Sequence, residues 1–124
     1  MATMEITKDN FKDTYEKNDI LIIDFWASWC GPCQSFAPIY EKVSDKYPDV
    51  VFGKVDTEQE LELAQHFAVR SIPTLLVIRE GYEIFYQPGA LPEELLVELV
   101  DKVKALDMEE VKKQLDAEDK NKGN

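Results

Sequence analysis

The fold is decided by one stretch of the chain, Ile20-Leu21-Ile22-Ile23-Asp24-Phe25-Trp26-Ala27-Ser28-Trp29-Cys30-Gly31-Pro32-Cys33. Its first half, Ile20–Trp26, is β-rich and apolar on both faces, which is typical of a central parallel strand buried on both sides. From Cys33 to Tyr47 the apolar residues take helical spacing, and Pro38 inside that segment predicts a kink. The two cysteines therefore stand where a buried strand ends and a helix begins.

Further strands are predicted on the C-terminal side of this stretch. Val50–Val55 and Thr74–Ile78 have strand character, and Glu80-Gly81 turns the second of them into a hairpin with Glu83–Tyr86. With the helices that lie between them, these strands predict an α/β protein. Its central mixed β-sheet is flanked by helices on both faces.

Three further helices complete the predicted domain. Residues 9–17 have the pattern of a short surface helix. Thr57 and Glu60 form a T-x-x-E capping box, which predicts a helix from Thr57 to about Phe67. The last of the three begins near Pro92. Its predicted apolar face consists of Leu95, Leu96, Leu99, Val100 and Val103.

The end of the chain predicts an additional C-terminal helix. Asp107-Met108-Glu109-Glu110 resembles a capping box with Asp107 as the cap, and apolar residues follow it at helical spacing. Residues from Ala117 onward are predicted to be a disordered tail. We therefore divide the chain into a main domain, residues 1–106, and an extension, residues 107–124. The extension either covers apolar surface and raises solubility, or it is a docking element for a dedicated partner.

Composition and charge narrow the class of protein. The 124 residues suffice for one domain with a single core, and 44% apolar with 31% charged residues is typical of a globular protein. The net charge of −11 repels phosphate groups, so we expect neither nucleic acid nor membrane as a partner. No apolar run approaches the about 20 residues of a membrane-spanning helix. Residues 1–6 lack the features of a secretory signal, which predicts a cytoplasmic protein.

Cys30 and Cys33 are the only cysteines in the chain. A pair separated by two residues indicates redox chemistry or metal binding rather than a structural crosslink. At a helix N-terminus, the macrodipole and free N–H groups favour the thiolate, which is the form that attacks disulfides. We therefore predict that Cys30 is the exposed nucleophile and that Cys33 is the buried resolving thiol. Pro32 supplies neither an N–H nor a charge to stabilise the Cys30 thiolate, which favours a reductant over an oxidant.

Residues 3–106 resemble the thioredoxin family along their whole length. The matching motifs, in the family's order, are Asp24-Phe25-Trp26-Ala27, Trp29-Cys30-Gly31-Pro32-Cys33, Pro38, Lys54-Val55-Asp56, Ile72-Pro73-Thr74, Gly81 and Gly89. The resemblance implies the thioredoxin fold and a protein-disulfide reductase with a reversible Cys30–Cys33 dithiol. It also implies a monomer that is reduced by a thioredoxin reductase and acts on disulfide-containing target proteins. No cofactor is expected, because the chain contains no Gly-x-Gly-x-x-Gly or phosphate loop.

The resemblance further implies roles for individual residues. Asp24 matches an acid that lies beneath the resolving cysteine and helps to move its proton. Its apolar neighbours predict burial and a raised pKa, whereas the alternative is a structural aspartate turned to solvent. Lys54 matches a buried lysine near that acid, and its alternative is an ordinary surface lysine. Ile72-Pro73 matches a cis-proline loop that faces the cysteines.

An apolar docking patch for target proteins is implied by the same resemblance. Its residues are Trp29, Gly31, Pro32, Ile72, Pro73, Gly89 and Ala90, whereas Trp26 is expected to be part of the core. Two departures from the family concern this surface. Gln34 stands where many relatives carry Lys or Arg, which makes the surroundings less positive, and Pro88 stiffens the loop before Gly89.

Three other functions are weighed against this one. Structural zinc needs four Cys or His ligands, and the chain offers two cysteines and a distant His66, so we expect no metal unless two chains share an ion. Oxidases and isomerases usually carry a histidine between the cysteines, where this chain has Pro32. A non-catalytic binding or chaperone module of the same fold is the remaining alternative, and the intact cysteine pair with Asp24 argues against it.

Overall fold

The computed structural model describes residues 2–122 of the chain. The strands are β1 (Thr3–Glu5), β2 (Ile20–Trp26), β3 (Val51–Asp56), β4 (Thr74–Arg79) and β5 (Tyr82–Pro88). The helices are α1 (Phe11–Lys17), α2 (Gly31–Ser44), α3 (Leu61–His66), α4 (Glu93–Ala105) and α5 (Met108–Lys122). No helix among these residues is both long enough and apolar enough to cross a membrane.

The five strands form one mixed sheet in the order β1-β3-β2-β4-β5. Strands β1, β3 and β2 run parallel to one another, β4 runs antiparallel to β2, and β5 runs antiparallel to β4. The predicted mixed sheet is confirmed, with β2 at its centre. Strand β1 was not predicted, because its three residues, of which two are exposed, are too few to show a strand period.

Alternation along β2 assigns its side chains to the two faces of the sheet. Ile20 and Ile22 pack with residues of α2 and α4 in one core cluster, and Leu21 and Ile23 pack with residues of α1 and α3 in the other. Successive strand residues point to opposite faces. Asp24 therefore lies on the same face as Ile22, beneath α2. Pro38 lies within the continuous helix α2, and the kink stays a prediction.

The predicted capping box at the start of α3 is wrong. Helix α3 begins at Leu61, and the Thr57 hydroxyl instead donates a hydrogen bond to the Trp26 carbonyl, at 3.0 Å. The Glu60 carboxylate accepts from the Lys8 backbone N–H, at 2.8 Å. The cause is the parallel pairing of β2 and β3, which brings the residue after β3 against the end of β2 before a helix begins.

Helix α4 has a narrower buried face than the sequence predicts. Leu96, Val100 and Val103 are buried as expected, and Leu99 is half-buried. Leu95 is 48% exposed, so its assignment to the buried face is wrong. Leu95 directly precedes Leu96 on the helix, and a rotation of about 100° per residue turns it away from the sheet.

The additional C-terminal helix is confirmed and is longer than predicted. The Asp107 carboxylate accepts hydrogen bonds from the backbone N–H groups of Glu109 and Glu110, at 3.1 and 3.4 Å, so Asp107 caps α5. The predicted disordered tail is wrong over residues 117–122, which continue the helix. These residues contain no proline or glycine that would end it. The rest of that predicted tail, Gly123 and Asn124, lies outside the described residues.

Candidate active site

Cys30 and Cys33 lie at the junction of β2 and α2 and form a disulfide, with their Cα atoms 5.2 Å apart. Cys30 is the N-cap of α2, and its Sγ accepts a hydrogen bond from the Cys33 backbone N–H, at 3.2 Å. Pro32 occupies the first helical turn, where a missing N–H breaks no helical hydrogen bond. An N–H group aimed at the Cys30 sulfur stabilises a thiolate at that atom once the disulfide is reduced.

The prediction that Cys30 is exposed is wrong for this oxidised form. Cys30 is 4% exposed and Cys33 is 3% exposed. The two cysteines pack with Ala27, and the side chains of Trp26 and Ile72 cover them. The disulfide holds the Cys30 sulfur against these neighbours, and Cys30 Sγ lies 3.6 Å from the Ile72 carbonyl oxygen.

Asp24 is a buried acid on the face of the sheet that α2 covers. It is 1% exposed, and within the described residues neither of its carboxylate oxygens has a hydrogen-bond partner. Burial raises its pKa from 3.8 to about 7, because a charged carboxylate is poorly solvated there, and the positive charge of Lys54 partly offsets the rise. The raised pKa is therefore confirmed, and the alternative of a solvent-facing aspartate is wrong.

Lys54 is the residue of β3 that pairs with Asp24 of β2 in the parallel register. It is half-buried, and its Nζ atom lies 5.0 Å from the centre of the Trp26 ring. A cation over an aromatic face is stabilised by the ring quadrupole. Lys54 is thus neither fully buried nor an ordinary surface lysine, and its charge acts on Asp24.

The loop before β4 carries a cis peptide bond between Ile72 and Pro73, as the resemblance implied. Pro73 is buried and Ile72 is half-buried beside the cysteines. The Gly89 N–H donates to the Pro73 carbonyl, at 2.7 Å, which joins the loop after β5 to the cis-proline loop. Gly89 has a φ of +103°, a conformation that side chains other than glycine rarely adopt.

The predicted docking patch is largely exposed in the structure. Trp29 is 68% exposed, and Gly31, Pro32, Gly89 and Ala90 are also exposed. Ile72 reaches the Cys30 sulfur through its carbonyl oxygen, and Gly89 joins the patch through its bond to Pro73. The structure thus brings Trp29 through Pro32 and the two loops to the same end of the sheet.

Glu58 is a residue of this region that the sequence analysis missed. The Trp29 indole N–H donates a hydrogen bond to the Glu58 carboxylate. The contact follows from the parallel register of β2 and β3, which pairs Trp26 with Asp56 and so brings the following loop toward Trp29, and no local sequence pattern signals it. The incorrect capping-box interpretation had placed Glu58 inside a helix instead.

Gln34 and His66, the two other polar residues singled out from the sequence, are both exposed. The Gln34 side-chain amide donates to the Ser28 carbonyl, at 2.6 Å, and so braces the turn that leads into α2. His66 packs edge-on against Phe67 at the end of α3. Among the described residues, no group of three or more His, Cys, Asp or Glu side chains is arranged to hold a metal ion.

The sheet, the strand–helix junction and the cysteine pair define a thiol–disulfide oxidoreductase of the C-x-x-C type. The family model described as Thioredoxin matches residues 2–102, and the chain belongs to the thioredoxin family. It is therefore a protein-disulfide reductase with a redox-active Cys30–Cys33 pair. The partners of such a protein are, in general terms, disulfide-containing targets and a reductase.

Sequence and structure comparisons agree with this assignment. The chain is 54% identical over 112 residues to a Streptomyces coelicolor protein named as a thioredoxin 2, with 90% of this chain and 84% of that protein covered. It is 37% identical over 93 residues to thioredoxin H5 of Arabidopsis thaliana, with 75% and 79% covered. A mutant thioredoxin from Halobacterium salinarum superposes with a TM-score of 0.77 at 29% identity, with 84% of this chain and 91% of that chain covered.

Proposed function

We propose that Cys30 is the attacking thiol and Cys33 the resolving thiol of the reductase reaction. The Cys30 thiolate attacks one sulfur of a target disulfide, forms a mixed disulfide and releases the other target sulfur as a thiolate. Cys33 then loses its proton and attacks the Cys30 sulfur, which re-forms the Cys30–Cys33 disulfide and releases the second target thiol. The target gains two electrons and two protons, and the chain loses them.

One observation carries this assignment of roles. The Cys33 N–H is aimed at the Cys30 sulfur at the start of α2, whereas the Cys33 sulfur receives no comparable backbone hydrogen bond among the described residues. A thiolate is therefore favoured at Cys30. Cys33 lies one turn further into α2, on the side that faces the core.

Asp24 is the proton acceptor for Cys33 in this proposal. Its carboxyl lies under α2, away from water, and its pKa of about 7 allows it to exchange a proton near neutral pH. The charge of Lys54, the cross-strand neighbour, keeps that pKa from rising further. Lys54 thus acts through Asp24, by setting the pKa of that carboxyl, and does not itself touch the substrate.

Target proteins dock on the patch formed by Trp29, Gly31, Pro32, Ile72, Pro73, Gly89 and Ala90. The exposure of Trp29 supports this, because a large apolar side chain left in water at the edge of a site is a typical interface residue. The cis-proline loop presents the Ile72 backbone beside the Cys30 sulfur. An extended target segment pairs with that backbone in the manner of strand addition.

We further propose a monomer that a thioredoxin reductase, flavin- or ferredoxin-dependent, returns to the dithiol form in the cytoplasm. The family match over residues 2–102 supports a thioredoxin domain of residues 1–106, with residues 107–124 as an extension. Helix α5 packs on the β4–β5 hairpin. That hairpin end is the opposite end of β2 from Trp26 and the cysteines.

The test separates the two cysteines by single replacement. Cys33→Ser is expected to accumulate a mixed disulfide with a disulfide-containing target protein, because attack occurs and resolution does not. Cys30→Ser is expected to form none and to lose target reduction. Mass spectrometry of the alkylated products under denaturing conditions measures both. A mixed disulfide on Cys33 in the Cys30→Ser protein, formed as fast as the one on Cys30, would contradict the assignment.

A further inference from the structure

An exposed carboxylate is fixed against the largest side chain of the docking patch. The backbone N–H and the hydroxyl of Thr57 both donate to the Trp26 carbonyl, at 2.9 and 3.0 Å, and hold the loop after β3 at the active-site end of the sheet. The Asp56 carboxylate accepts from the Glu58 backbone N–H, at 2.9 Å, which fixes the turn. From this turn the Glu58 side chain reaches the Trp29 indole N–H.

The charge of Glu58 is available to a partner. Glu58 is exposed, and among the side chains described, those of residues 2–118, no lysine or arginine forms an ion pair with it. Several acids on other surfaces are paired, including Glu62 with Lys8, Asp49 with Lys104 and Glu80 with Lys112. An unpaired carboxylate held by a hydrogen bond loses little side-chain entropy when it binds a cation.

The surroundings of Trp29 add no positive charge that would cancel Glu58. Gln34 is uncharged and is committed to the Ser28 carbonyl. Lys54 is half-buried over the Trp26 ring. The cis-proline loop contributes one exposed base, Arg70, two residues before Ile72. The negative charge therefore lies on the Trp29 side of the docking patch and not on the side of the cis-proline loop.

We propose that Glu58 is a specificity-determining residue of the reductase reaction. It binds a lysine or arginine that flanks the target disulfide on the segment lying over Trp29. The chain thus prefers target disulfides with basic neighbours to those with acidic neighbours. The inference rests on the proposed docking patch and names the class of target that this patch accepts. An exposed ion pair of this kind changes a binding equilibrium by about twofold to fivefold.

The test compares two disulfide peptides that are identical except for Lys or Glu beside each cysteine. Prereduced wild-type protein is mixed with each peptide, and the single-turnover rate constants give a basic-to-acidic ratio. Glu58→Gln keeps a side-chain oxygen that can accept from Trp29 and removes the charge. Its ratio is expected to be about twofold to fivefold lower than that of the wild type. At about 1 M salt, where the screening length is about 3 Å, the wild-type ratio is expected to fall to that of the variant.

Glu16→Gln is the matched control, because it removes the same charge from an exposed position on α1. Its ratio is expected to equal that of the wild type, which separates a local effect of Glu58 from the effect of the net charge. Equal ratios in Glu58→Gln and wild type, or equal losses in both variants, overturn the inference. The proposed function then still stands, because both peptides are reduced. A wild-type protein that reduces neither peptide overturns both.

Discussion

The two ends of strand β2 differ in the partners that their polar groups have. At its C-terminal end lie Asp24, a buried acid with no hydrogen-bond partner in the described part of the chain, the disulfide and the exposed Trp29. At its N-terminal end, Ile20 pairs with Arg79, whose guanidinium contacts backbone carbonyl groups through one nitrogen. Arg79 Nη1 lies 2.5 Å from the Val103 carbonyl and 3.2 Å from the Leu106 carbonyl, at the end of α4.

Helix α5 adds contacts at the N-terminal end of β2, which we call the far end because it lies opposite the cysteines. Lys112 reaches Glu80 at 2.7 Å and lies over the Tyr82 ring, whose hydroxyl bonds to Asp116. Met108, the first residue of α5, is 7% exposed. We infer that the far end stabilises the fold, whereas the active-site end keeps a buried acid and an exposed aromatic side chain that stability alone would not select.

The largest expected effect is on Asp24. Its pKa of about 7 in the folded chain, against 3.8 ordinarily, means that the folded chain holds a proton that the unfolded chain has lost. Stability therefore falls as pH rises from about 4 to about 7, by up to about 4 kcal/mol. In Asp24→Asn the side chain at this position carries no charge at any pH. In denaturant unfolding of the oxidised proteins, the variant is expected to be more stable than the wild type at pH 8 and no more stable at pH 4.

The same variant separates stability from chemistry. Because Asn cannot accept a proton, Asp24→Asn is expected to release targets from the mixed disulfide more slowly, and the slow step is expected to lose its inflection near pH 7. Ser44→Ala is the control, because Ser44 is a buried polar residue at the end of α2 that is not part of the site. An Asp24→Asn protein that is less stable than wild type at pH 8 would refute the claim that the acid costs stability.

Much of this contrast could be predicted from the sequence, and the reasons are local. The run Ile20–Trp26 is long and apolar enough to predict a central strand, and the cysteines follow it directly. Asp24 stands out because it interrupts that run. The cap at Asp107 is confirmed because its partners, Glu109 and Glu110, lie within three residues of it.

The features that the sequence did not predict depend on contacts between distant segments. Thr57 reads as a helix cap, but its partner is Trp26, which β2–β3 pairing brings to it. The bond between Glu58 and Trp29 joins residues 29 positions apart. The burial of Cys30 depends on Ile72, which lies 42 residues further along the chain, in the loop after α3. Local patterns carry no information about such partners.

A smaller effect is expected from the far end. Deletion of residues 107–124 removes buried Met108 and the half-buried side chains at Val111 and Leu115. Their loss is expected to lower the free energy of unfolding by about 3 kcal/mol. The rate of target reduction is expected to be unchanged, because α5 packs at the end of the sheet opposite the cysteines. Denaturant unfolding and a coupled reductase assay measure the two quantities.

The point variant Met108→Ala distinguishes the two roles considered for the extension. It removes apolar packing and keeps the charged surface of α5, so a covering helix predicts partial loss of stability in this variant and normal rates in both proteins. A slower reaction with the reductase in the deleted protein, together with a normal rate in Met108→Ala, would instead identify α5 as a docking element. The contrast between a functional end and a stabilising end would then fail.

The smallest effect is expected at Arg79, where one side chain joins the sheet to the end of α4. Its Nη1 lies within reach of three carbonyls, those of Val103, Lys104 and Leu106. Its Nε is 3.5 Å from the Asp19 carboxylate but makes no hydrogen bond among the described residues. A lysine side chain is one bond shorter up to its terminal nitrogen, so its ammonium reaches these three carbonyls less well than Nη1 does. Arg79→Lys is therefore expected to lower the free energy of unfolding by about 1 to 2 kcal/mol without changing the rate of target reduction.

Lys102→Gln, in an exposed pair with Glu98, is the control and is expected to change neither. If Arg79→Lys slowed target reduction while Lys102→Gln did not, the far end of β2 would be coupled to the cysteines, and the two ends would not be independent.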